Sequence, residues 1–275
     1  MSTIHFPKLD EYYARFCRAI TQSGQEQRFL TKWGLQGLAD AYDILSNNVQ
    51  GGFESHKHTM LSGRTGGSIL NIGPGMGFCV FLLSELFEKV YVAEPDGDNC
   101  QLLEHIAQHY ETGQNKNAAA IVKIFHAGIS ITDEAVKYWD TKSKLMKKRN
   151  LKGSILNFDI KDAAELSSVF PGNVSRVYLH KVLSSLSIAN SFANIIGQCA
   201  LFLEKGGEIT WSEPRYIFDD ILQVGPGSAL ESVVKPIFAG NNLEVGIHDY
   251  EVTNRDKETG VVLVEKWTLI KAVFL

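Results

Sequence analysis

Hydrophobic residues in the first part of the chain recur at the spacing of amphipathic helices. Apolar side chains repeat every three or four positions over residues 9–20 and again over residues 30–45, which is the pattern of a helix with one buried face. The stretch that follows, residues 46–67, is dense in glycine, serine and asparagine. The pattern therefore predicts two helices and then a loop.

From residue 68 onward, short apolar runs replace this pattern. Five of the runs alternate with helical patterns, which predicts parallel strands joined by crossover helices. They are residues 68–73, 89–94, 153–159, 175–180 and 206–213. The last two runs, residues 243–252 and 261–274, have only a turn-like segment between them and predict an antiparallel hairpin. The predicted fold class is α/β, a doubly wound seven-stranded sheet that is mostly parallel and ends in this hairpin.

The interval between the second and third predicted strands is longer than a crossover connection requires. A helical insertion is therefore predicted at about residues 113–150, with helices near 117–127 and 132–149. The predicted organisation is an N-terminal helical segment, residues 1–66, followed by a main domain, residues 67–275, that contains the insertion.

Composition and charge narrow the possible partners and location. The 27 Lys and Arg against 31 Asp and Glu give a net charge of −4, so no overall field attracts nucleic acid, which is disfavoured as a partner. The four cysteines are widely spaced, which predicts reduced thiols and no disulfide or metal site. The sequence has neither a signal-peptide pattern nor an apolar stretch of about 18 residues. These features predict a cytoplasmic protein without a membrane segment, and nothing in them indicates the oligomeric state.

The stretch ILNIGPGMGFCV joins the first of these strands to a helix through three glycines, Gly73, Gly75 and Gly77. Such a turn brings the backbone close to a ligand and exposes helix N–H groups, although glycine turns also end strands for steric reasons alone. A dinucleotide fingerprint would need another glycine at position 78, where the chain has Phe78. A pyrophosphate site is therefore disfavoured.

A carboxylate ends the next predicted strand. Glu94 stands where nucleotide-binding sheets place the acidic residue that accepts hydrogen bonds from ribose hydroxyls. Its two oxygens can accept from two hydroxyls. The alternative interpretation is a solvated carboxylate at a strand end.

The ordered motifs ILNIGPGMG, VYVAEPD, NFDIKDA and VYLHKVLSSL resemble those of the class I S-adenosylmethionine-dependent methyltransferases. The resemblance covers residues from about 68 to 275. It implies the Rossmann-like fold of that family, S-adenosyl-L-methionine as cofactor and S-adenosyl-L-homocysteine as product. The N-terminal helices and the insertion would then form a lid over the acceptor.

The resemblance also implies a role for each motif. The glycine turn would contact the methionine part of the cofactor, the acidic residue after the second strand the ribose, and an acidic residue after the third strand the adenine, with Asp159 and Asp162 as alternatives. A residue after the fourth strand would lie near the methyl group. Asn71 stands where the family often has an acidic residue, which would weaken the attraction for the cofactor's ammonium. The implied cofactor-binding residues are Asn71, Gly73, Pro74, Gly75, Gly77, Glu94, Pro95, Asp159, Ile160, Asp162 and His180.

Methyl transfer from a sulfonium needs an in-line geometry and, for some acceptors, a base. His180, after the fourth predicted strand, is the candidate base, and the alternative is a structural or cofactor-stacking role. His56 and His58 are interpreted as solvated loop residues, although both could line the pocket. His105 and His109 are interpreted as a surface pair on a helix.

The sequence thus predicts a methyltransferase that acts on a small-molecule acceptor by O-, N- or C-methylation. The N-P-P-Y motif of amino methyltransferases is absent after the fourth predicted strand. No cysteine lies near the ends of the fourth and fifth predicted strands, where a nucleophile would stand. Two alternatives stay open. One is an RNA or protein methyltransferase recruited by the basic run at residues 142–152, and the other is a cofactor-binding subunit without catalysis.

Overall fold

The structure is a computed structural model of the 275-residue chain. It describes residues 6–47, 52–94, 96–126, 174–180, 182, 189–222, 224, 229–255 and 261–275. Within these ranges the chain forms one seven-stranded sheet with the strand order β3-β2-β1-β4-β5-β7-β6. The strands are β1 (Ser68–Ile72), β2 (Lys89–Glu94), β3 (Val122–His126), β4 (Val174–His180), β5 (Leu203–Pro214), β6 (Leu243–Arg255) and β7 (Val262–Phe274).

The first five strands pair in parallel, and β7 runs antiparallel to both of its neighbours, β5 and β6. This arrangement confirms the predicted doubly wound sheet with a C-terminal hairpin. The helices are α1 (Leu9–Gln22), α2 (Glu26–Trp33), α3 (Leu38–Asn47), α4 (Phe53–Leu61), α5 (Phe78–Leu86), α6 (Gly97–His109), α7 (Ala189–Phe202), α8 (Arg215–Ile221) and α9 (Leu230–Ala239).

The strand beside β2 is not where the pattern predicted a strand. The helix predicted near residues 117–127 is wrong, because a single 3-10 turn at Ala118–Ala120 leads directly into β3. The alanine run favours a helix locally, but β3 pairs along the whole of β2 and its apolar residues pack on the core, which overrides that preference. The strand predicted at residues 153–159 and the helix predicted at 132–149 lie outside the described residues.

The N-terminal segment contains more helix than its pattern indicated. The first predicted helix is confirmed as α1, and the second is divided at Gly34, which ends α2 in the left-handed conformation. The loop prediction for residues 46–67 is wrong over α4. Gly52 and Ser62 flank this short helix, and the glycine-rich and serine-rich flanks conceal it in the sequence.

The N-terminal helices complete the hydrophobic core on one face of the sheet. Tyr12 and Phe16 of α1 and Phe29 of α2 are fully buried in the same cluster as Phe78 and Phe81 of α5. The hydroxyl of Tyr12 also donates a hydrogen bond to the carbonyl oxygen of Phe78. Burial of this kind stabilises the fold, and a lid role for these helices stays a prediction. The boundaries of the segment and of the insertion stay predictions.

A buried arginine fastens α4 to the sheet. The guanidinium of Arg176 in β4 donates hydrogen bonds to the carbonyl oxygens of Thr59 and Met60 and to the hydroxyl of Thr210. These bonds satisfy carbonyls at the C-terminal end of α4 that have no partner inside the helix. Burial lowers the pKa of Arg176 to about 10, which leaves it charged at neutral pH.

The opposite face of the sheet is covered by α7, α8 and α9, which pack with the strands in a second hydrophobic cluster. All four cysteines are free thiols, as predicted. Among the described helices, none combines the length and the apolar character needed to cross a membrane.

Candidate active site

The glycine turn at the end of β1 leads directly into α5, and Gly73, Gly75 and Gly77 all have positive φ angles. A Cβ atom added at Gly77 would lie 2.4 Å from the Leu103 side chain of α6, so close packing demands a glycine there. At Gly75, where φ is +56°, no heavy atom of the described chain lies within 4 Å of the Cβ position. The turn therefore presents bare backbone on an open side, which suits the close approach of a ligand.

Asn71 of β1 contacts the helix that follows this turn. Its side chain is buried, and Nδ2 lies 3.0 Å from the sulfur of Cys79. Burial raises the pKa of the Cys79 thiol to about 11, so the thiol stays neutral. The thiol in turn lies 3.5 Å from the carbonyl oxygen of Pro74. A cofactor contact for Asn71 stays a prediction, and in the structure this residue holds the start of α5.

Glu94 ends β2 with a fully buried side chain, so the solvated interpretation is wrong. Its Oε1 accepts a hydrogen bond from the backbone N–H of Asp96 at 2.9 Å, and its Oε2 accepts one from Nδ2 of Asn99 at 2.8 Å. Burial raises the pKa of Glu94, and these two donors partly oppose the rise. The carboxylate is thus held in one orientation at the strand end.

The start of α6 connects this carboxylate to the N-terminal helices. Asp96 caps α6 by accepting hydrogen bonds from the backbone N–H groups of Asp98 and Asn99. Lys32 of α2 lies 2.6 Å from the carboxylate of Asp96. Burial opposes ionisation of Asp96, but the hydrogen bond and charge of Lys32 and the backbone N–H groups of Asn99 and Asp98 together outweigh it and lower the pKa of that carboxyl. The N-terminal segment therefore helps to fix the chain that follows Glu94.

A second group of polar side chains gathers at the carboxyl end of β4. Tyr178 and His180 lie on the same face of this strand, because they are two residues apart. His56 of α4 packs against both: its Nδ1 is 3.0 Å from the Tyr178 hydroxyl, and its ring centroid is 3.9 Å from that of His180. His56 is 8% exposed and His180 7%. The prediction of a solvated loop position for His56 is therefore wrong.

The neighbouring strands extend this group. The ring of His180 stacks on that of Trp267 in β7, with centroids 5.4 Å apart. Ser212 of β5 lies opposite His180 in the sheet, and its hydroxyl is 2.6 Å from that of Tyr250 in β6. Burial raises the pKa of Tyr250 to about 12, so this phenol is neutral. We call these residues the histidine cluster, which consists of His56, Tyr178, His180, Ser212, Tyr250 and Trp267.

The predictions for the remaining histidines have different outcomes. The side chains of His105 and His109 are exposed on α6, which confirms the surface pair. His58 is exposed but stacks on Tyr250 with ring centroids 4.1 Å apart, so it lies beside the histidine cluster. Burial, and to a smaller degree the nearby His248, lower the pKa of His58. Among the described residues, no group of three or more potential ligands could hold a metal ion.

No family model matches the sequence, and no curated protein sequence matches it. Solved structures do match. The N-methyltransferase NodS from Bradyrhizobium japonicum WM9, in complex with S-adenosylhomocysteine, is 12% identical, with 91% of this chain and 98% of that chain covered and a TM-score of 0.50. The chain has the fold of the class I S-adenosylmethionine-dependent methyltransferases.

Two further methyltransferases are similar at lower TM-scores. The precorrin-6Y C5,15-methyltransferase from Geobacter metallireducens GS-15 is 12% identical, with 84% of this chain and 94% of that chain covered and a TM-score of 0.46. Magnesium protoporphyrin IX methyltransferase (ChlM) from Synechocystis PCC 6803, with bound S-adenosylmethionine, is 12% identical, with 81% of this chain and 77% of that chain covered and a TM-score of 0.44.

In this methyltransferase fold the predicted site residues meet at one edge of the sheet. The structure places the glycine turn, Glu94 and His180 at the carboxyl ends of β1, β2 and β4, which are neighbours in the sheet. Parallel strands bind ligands at this edge. The predicted contacts Pro95, Asp159, Ile160 and Asp162, and the basic run at 142–152, lie outside the described residues.

Tyr178 and Asn99 were missed by the sequence interpretation, and His56, although considered as a possible pocket residue, was assigned to a solvated loop. His56 lies in the helix that the flanking glycines conceal. Tyr178 lies in a fully buried strand, whose alternation of faces is not visible as a pattern of polarity. For Asn99 a local signal existed, because it follows the capping residue Asp96 by three positions, where a side chain can turn back to the helix start.

Proposed function

We propose that the protein is an S-adenosylmethionine-dependent methyltransferase that acts on a small-molecule acceptor. The observation that carries the proposal is the meeting of an open glycine turn with a buried carboxylate at the ends of two adjacent strands. The turn exposes backbone at Gly75, and Glu94 is held by two N–H donors at the end of β2. A nucleoside with a charged amino acid side arm needs both features.

These residues fit the cofactor. Each carboxylate oxygen of Glu94 accepts one hydrogen bond in the described chain, and each has capacity for one more. A ribose hydroxyl can fill that capacity. The N-terminus of α5 adds backbone N–H groups beside the turn, which favour the carboxylate of the cofactor's methionine part.

The structure around Phe78 supports a nucleoside over a dinucleotide. Phe78 occupies the position at which a dinucleotide turn needs another glycine. Its ring packs edge-on against Phe16 with centroids 4.9 Å apart, and its carbonyl oxygen accepts the hydrogen bond from Tyr12. The first turn of α5 is therefore packed in the hydrophobic core. This packing leaves less space beside the turn for the second phosphate of a dinucleotide.

S-adenosylmethionine, when bound, supplies an activated methyl group. The protein's own contribution is to bind the nucleoside, orient the acceptor in line with that group and remove a proton from acceptors that carry one. The histidine cluster lies at the carboxyl end of β4, where His180 was predicted to act. Its two imidazoles favour a catalytic protein over a subunit that only binds the cofactor.

Acceptor screening tests the proposal. The purified protein is incubated with S-adenosylmethionine and a panel of phenols, carboxylates, amines and activated carbon acids, and S-adenosylhomocysteine is measured by mass spectrometry. We expect acceptor-dependent product from the wild type and from the surface variant His105→Gln, and much less from Glu94→Ala when the S-adenosylmethionine concentration is kept near the wild-type Kd. Turnover that requires RNA or a protein acceptor, or binding without any turnover, would support one of the two alternatives and overturn the small-molecule assignment. A cytoplasmic location stays a prediction from the reduced cysteines.

A further inference from the structure

Asn99 links the two parts of the proposed cofactor site. This residue lies in the first turn of α6 and is 1% exposed. Its side-chain nitrogen donates to the carbonyl oxygen of Gly75 at 2.9 Å and to Oε2 of Glu94 at 2.8 Å. One amide group therefore ties the glycine turn after β1 to the carboxylate at the end of β2.

These two contacts decide the orientation of the amide. The neighbours of the Asn99 side-chain nitrogen, a backbone carbonyl and a carboxylate, are both acceptors. A flipped amide would set its own carbonyl oxygen against two other oxygens, which is unfavourable. The nitrogen must therefore face Gly75 and Glu94, and Oδ1 is left on the remaining side of the group.

The side-chain oxygen of Asn99 needs a hydrogen-bond donor. Oδ1 of Asn99 is buried, and in the part of the chain that the structure describes it accepts no hydrogen bond. A buried acceptor without a donor is unfavourable, so such an atom in a folded protein points to a ligand or to ordered water. Because Oδ1 belongs to the amide that contacts Glu94, a donor that reaches it lies beside that carboxylate.

We propose that Asn99 is a cofactor-binding residue whose Oδ1 accepts a hydrogen bond from one ribose hydroxyl while Glu94 accepts from the other. This inference rests on the proposed function. The two ribose hydroxyls of an S-adenosyl nucleoside are then divided between an amide and a carboxylate. In the same arrangement Nδ2 of Asn99 holds Glu94 and the carbonyl group of Gly75 at a fixed distance from each other. Asn99 therefore both binds the ribose and positions its neighbours.

Deoxy analogues of the product distinguish direct contact from positioning. Calorimetry measures the affinity of the full-length protein for S-adenosylhomocysteine and for its 2′-deoxy and 3′-deoxy forms. In the wild type the deletion of the hydroxyl that bonds the Asn99 amide should weaken binding by about three- to tenfold, and the deletion of the one that bonds the Glu94 carboxylate by about tenfold or more. In Asn99→Leu, all three ligands should bind more weakly, but one of the two deletions should then cost less than about twofold. The control is Gln101→Leu, which removes an exposed amide from the same helix.

Each other outcome has a defined meaning. If both hydroxyl deletions cost the same factor in Asn99→Leu as in the wild type, Asn99 only positions its neighbours and the inference is wrong. If the wild type does not bind S-adenosylhomocysteine at all, the proposed function fails instead. Asn99→Ala is measured in parallel, and the unfolding midpoint of each variant shows that it is folded. NMR tests the same contact in the wild type without a substitution. The signal of the Asn99 side-chain amide should shift when S-adenosylhomocysteine is added, and it should shift less with one of the two deoxy forms.

Discussion

His56 and His180 stack on each other with ring centroids 3.9 Å apart at the carboxyl end of β4. One comes from α4 and the other from the sheet. Two protonated imidazoles in contact would repel each other. The Tyr178 hydroxyl, whose pKa burial raises well above its ordinary value, stays neutral and fixes the His56 ring through Nδ1. A general-base role for this pair stays a prediction.

Removing either imidazole tests this role. We expect His56→Gln and His180→Gln to lower kcat by a factor of about 10² or more, the scale of general base catalysis, while the affinity for S-adenosylhomocysteine changes little. His105→Gln, an exposed histidine of α6, is the matched control. Steady-state kinetics and calorimetry on the same preparations separate the two effects. Unchanged kcat in both variants would make the pair a packing feature.

Glu94 should make cofactor binding dependent on pH. Its pKa is raised by burial, so it takes up a proton at a higher pH than an ordinary glutamate and then loses acceptor capacity for ribose. Affinity for S-adenosylhomocysteine should therefore fall as the pH is lowered through that raised pKa. We expect Glu94→Ala to cost about 1.5–3 kcal/mol of binding free energy at neutral pH, and Glu94→Gln to remove the pH dependence.

Protonation of Glu94 does not itself unfold the protein. A carboxyl whose pKa is raised in the folded state binds its proton more tightly when folded, so protonation of Glu94 favours the folded state. Calorimetry over a pH series, with circular dichroism as a check on folding, measures the dependence. An affinity for the wild type that is constant over this range would contradict the ribose role of Glu94.

The two glycines of the turn should respond differently to substitution. Gly75→Val should abolish cofactor binding, because the side chain enters the open side of the turn, and should destabilise the protein by only about 1–2 kcal/mol through its positive φ. Gly77→Ala should destabilise the fold more, because the added Cβ would lie 2.4 Å from Leu103. Urea unfolding and calorimetry of both variants distinguish the two effects. If Gly75→Val kept its affinity for the cofactor, the ligand would not approach Gly75.

Arg176→Met should destabilise the protein by about 3–5 kcal/mol, because it removes a buried guanidinium that donates to the end of α4 and to Thr210, and it takes the donor from the carbonyl oxygen of Met60. The same substitution should release His56 from its place beside His180. The measurement is the free energy of unfolding in urea. Lys235→Met, on the exposed face of α9, is the control and should change this free energy by less than about 0.5 kcal/mol. A similarly small effect of Arg176→Met would contradict the role assigned to this arginine.

The sequence predicted those parts of the site that local chemistry determines. The glycine turn must follow a strand and precede a helix, and Glu94 ends the next strand, so their positions in the sheet follow from order and spacing alone. The prediction was wrong for α4 and β3, which are short. In α4, glycine and serine flanks outweighed the few apolar positions, and in β3, pairing with β2 overrode an alanine-rich approach.

Contacts between distant segments could not be predicted in this way. The bond between His56 and Tyr178 joins a helix before the sheet to its fourth strand, and the bond between Asn99 and Gly75 joins two separate turns. No local periodicity encodes either contact, because each depends on where two elements pack. The N-terminal helices show the same limit, since their amphipathic pattern predicted a buried face but not that Tyr12 would bind the start of α5.

The most direct test of the account is the choice of cofactor by the purified wild-type protein. Isothermal calorimetry with S-adenosylmethionine, S-adenosylhomocysteine and NAD measures it in one series. The open turn at Gly75 and the buried carboxylate of Glu94 predict that both sulfur nucleosides bind with a Kd of about 1 µM or tighter, and that NAD does not bind measurably. Tight binding of NAD, with no binding of either sulfur nucleoside, would contradict the account.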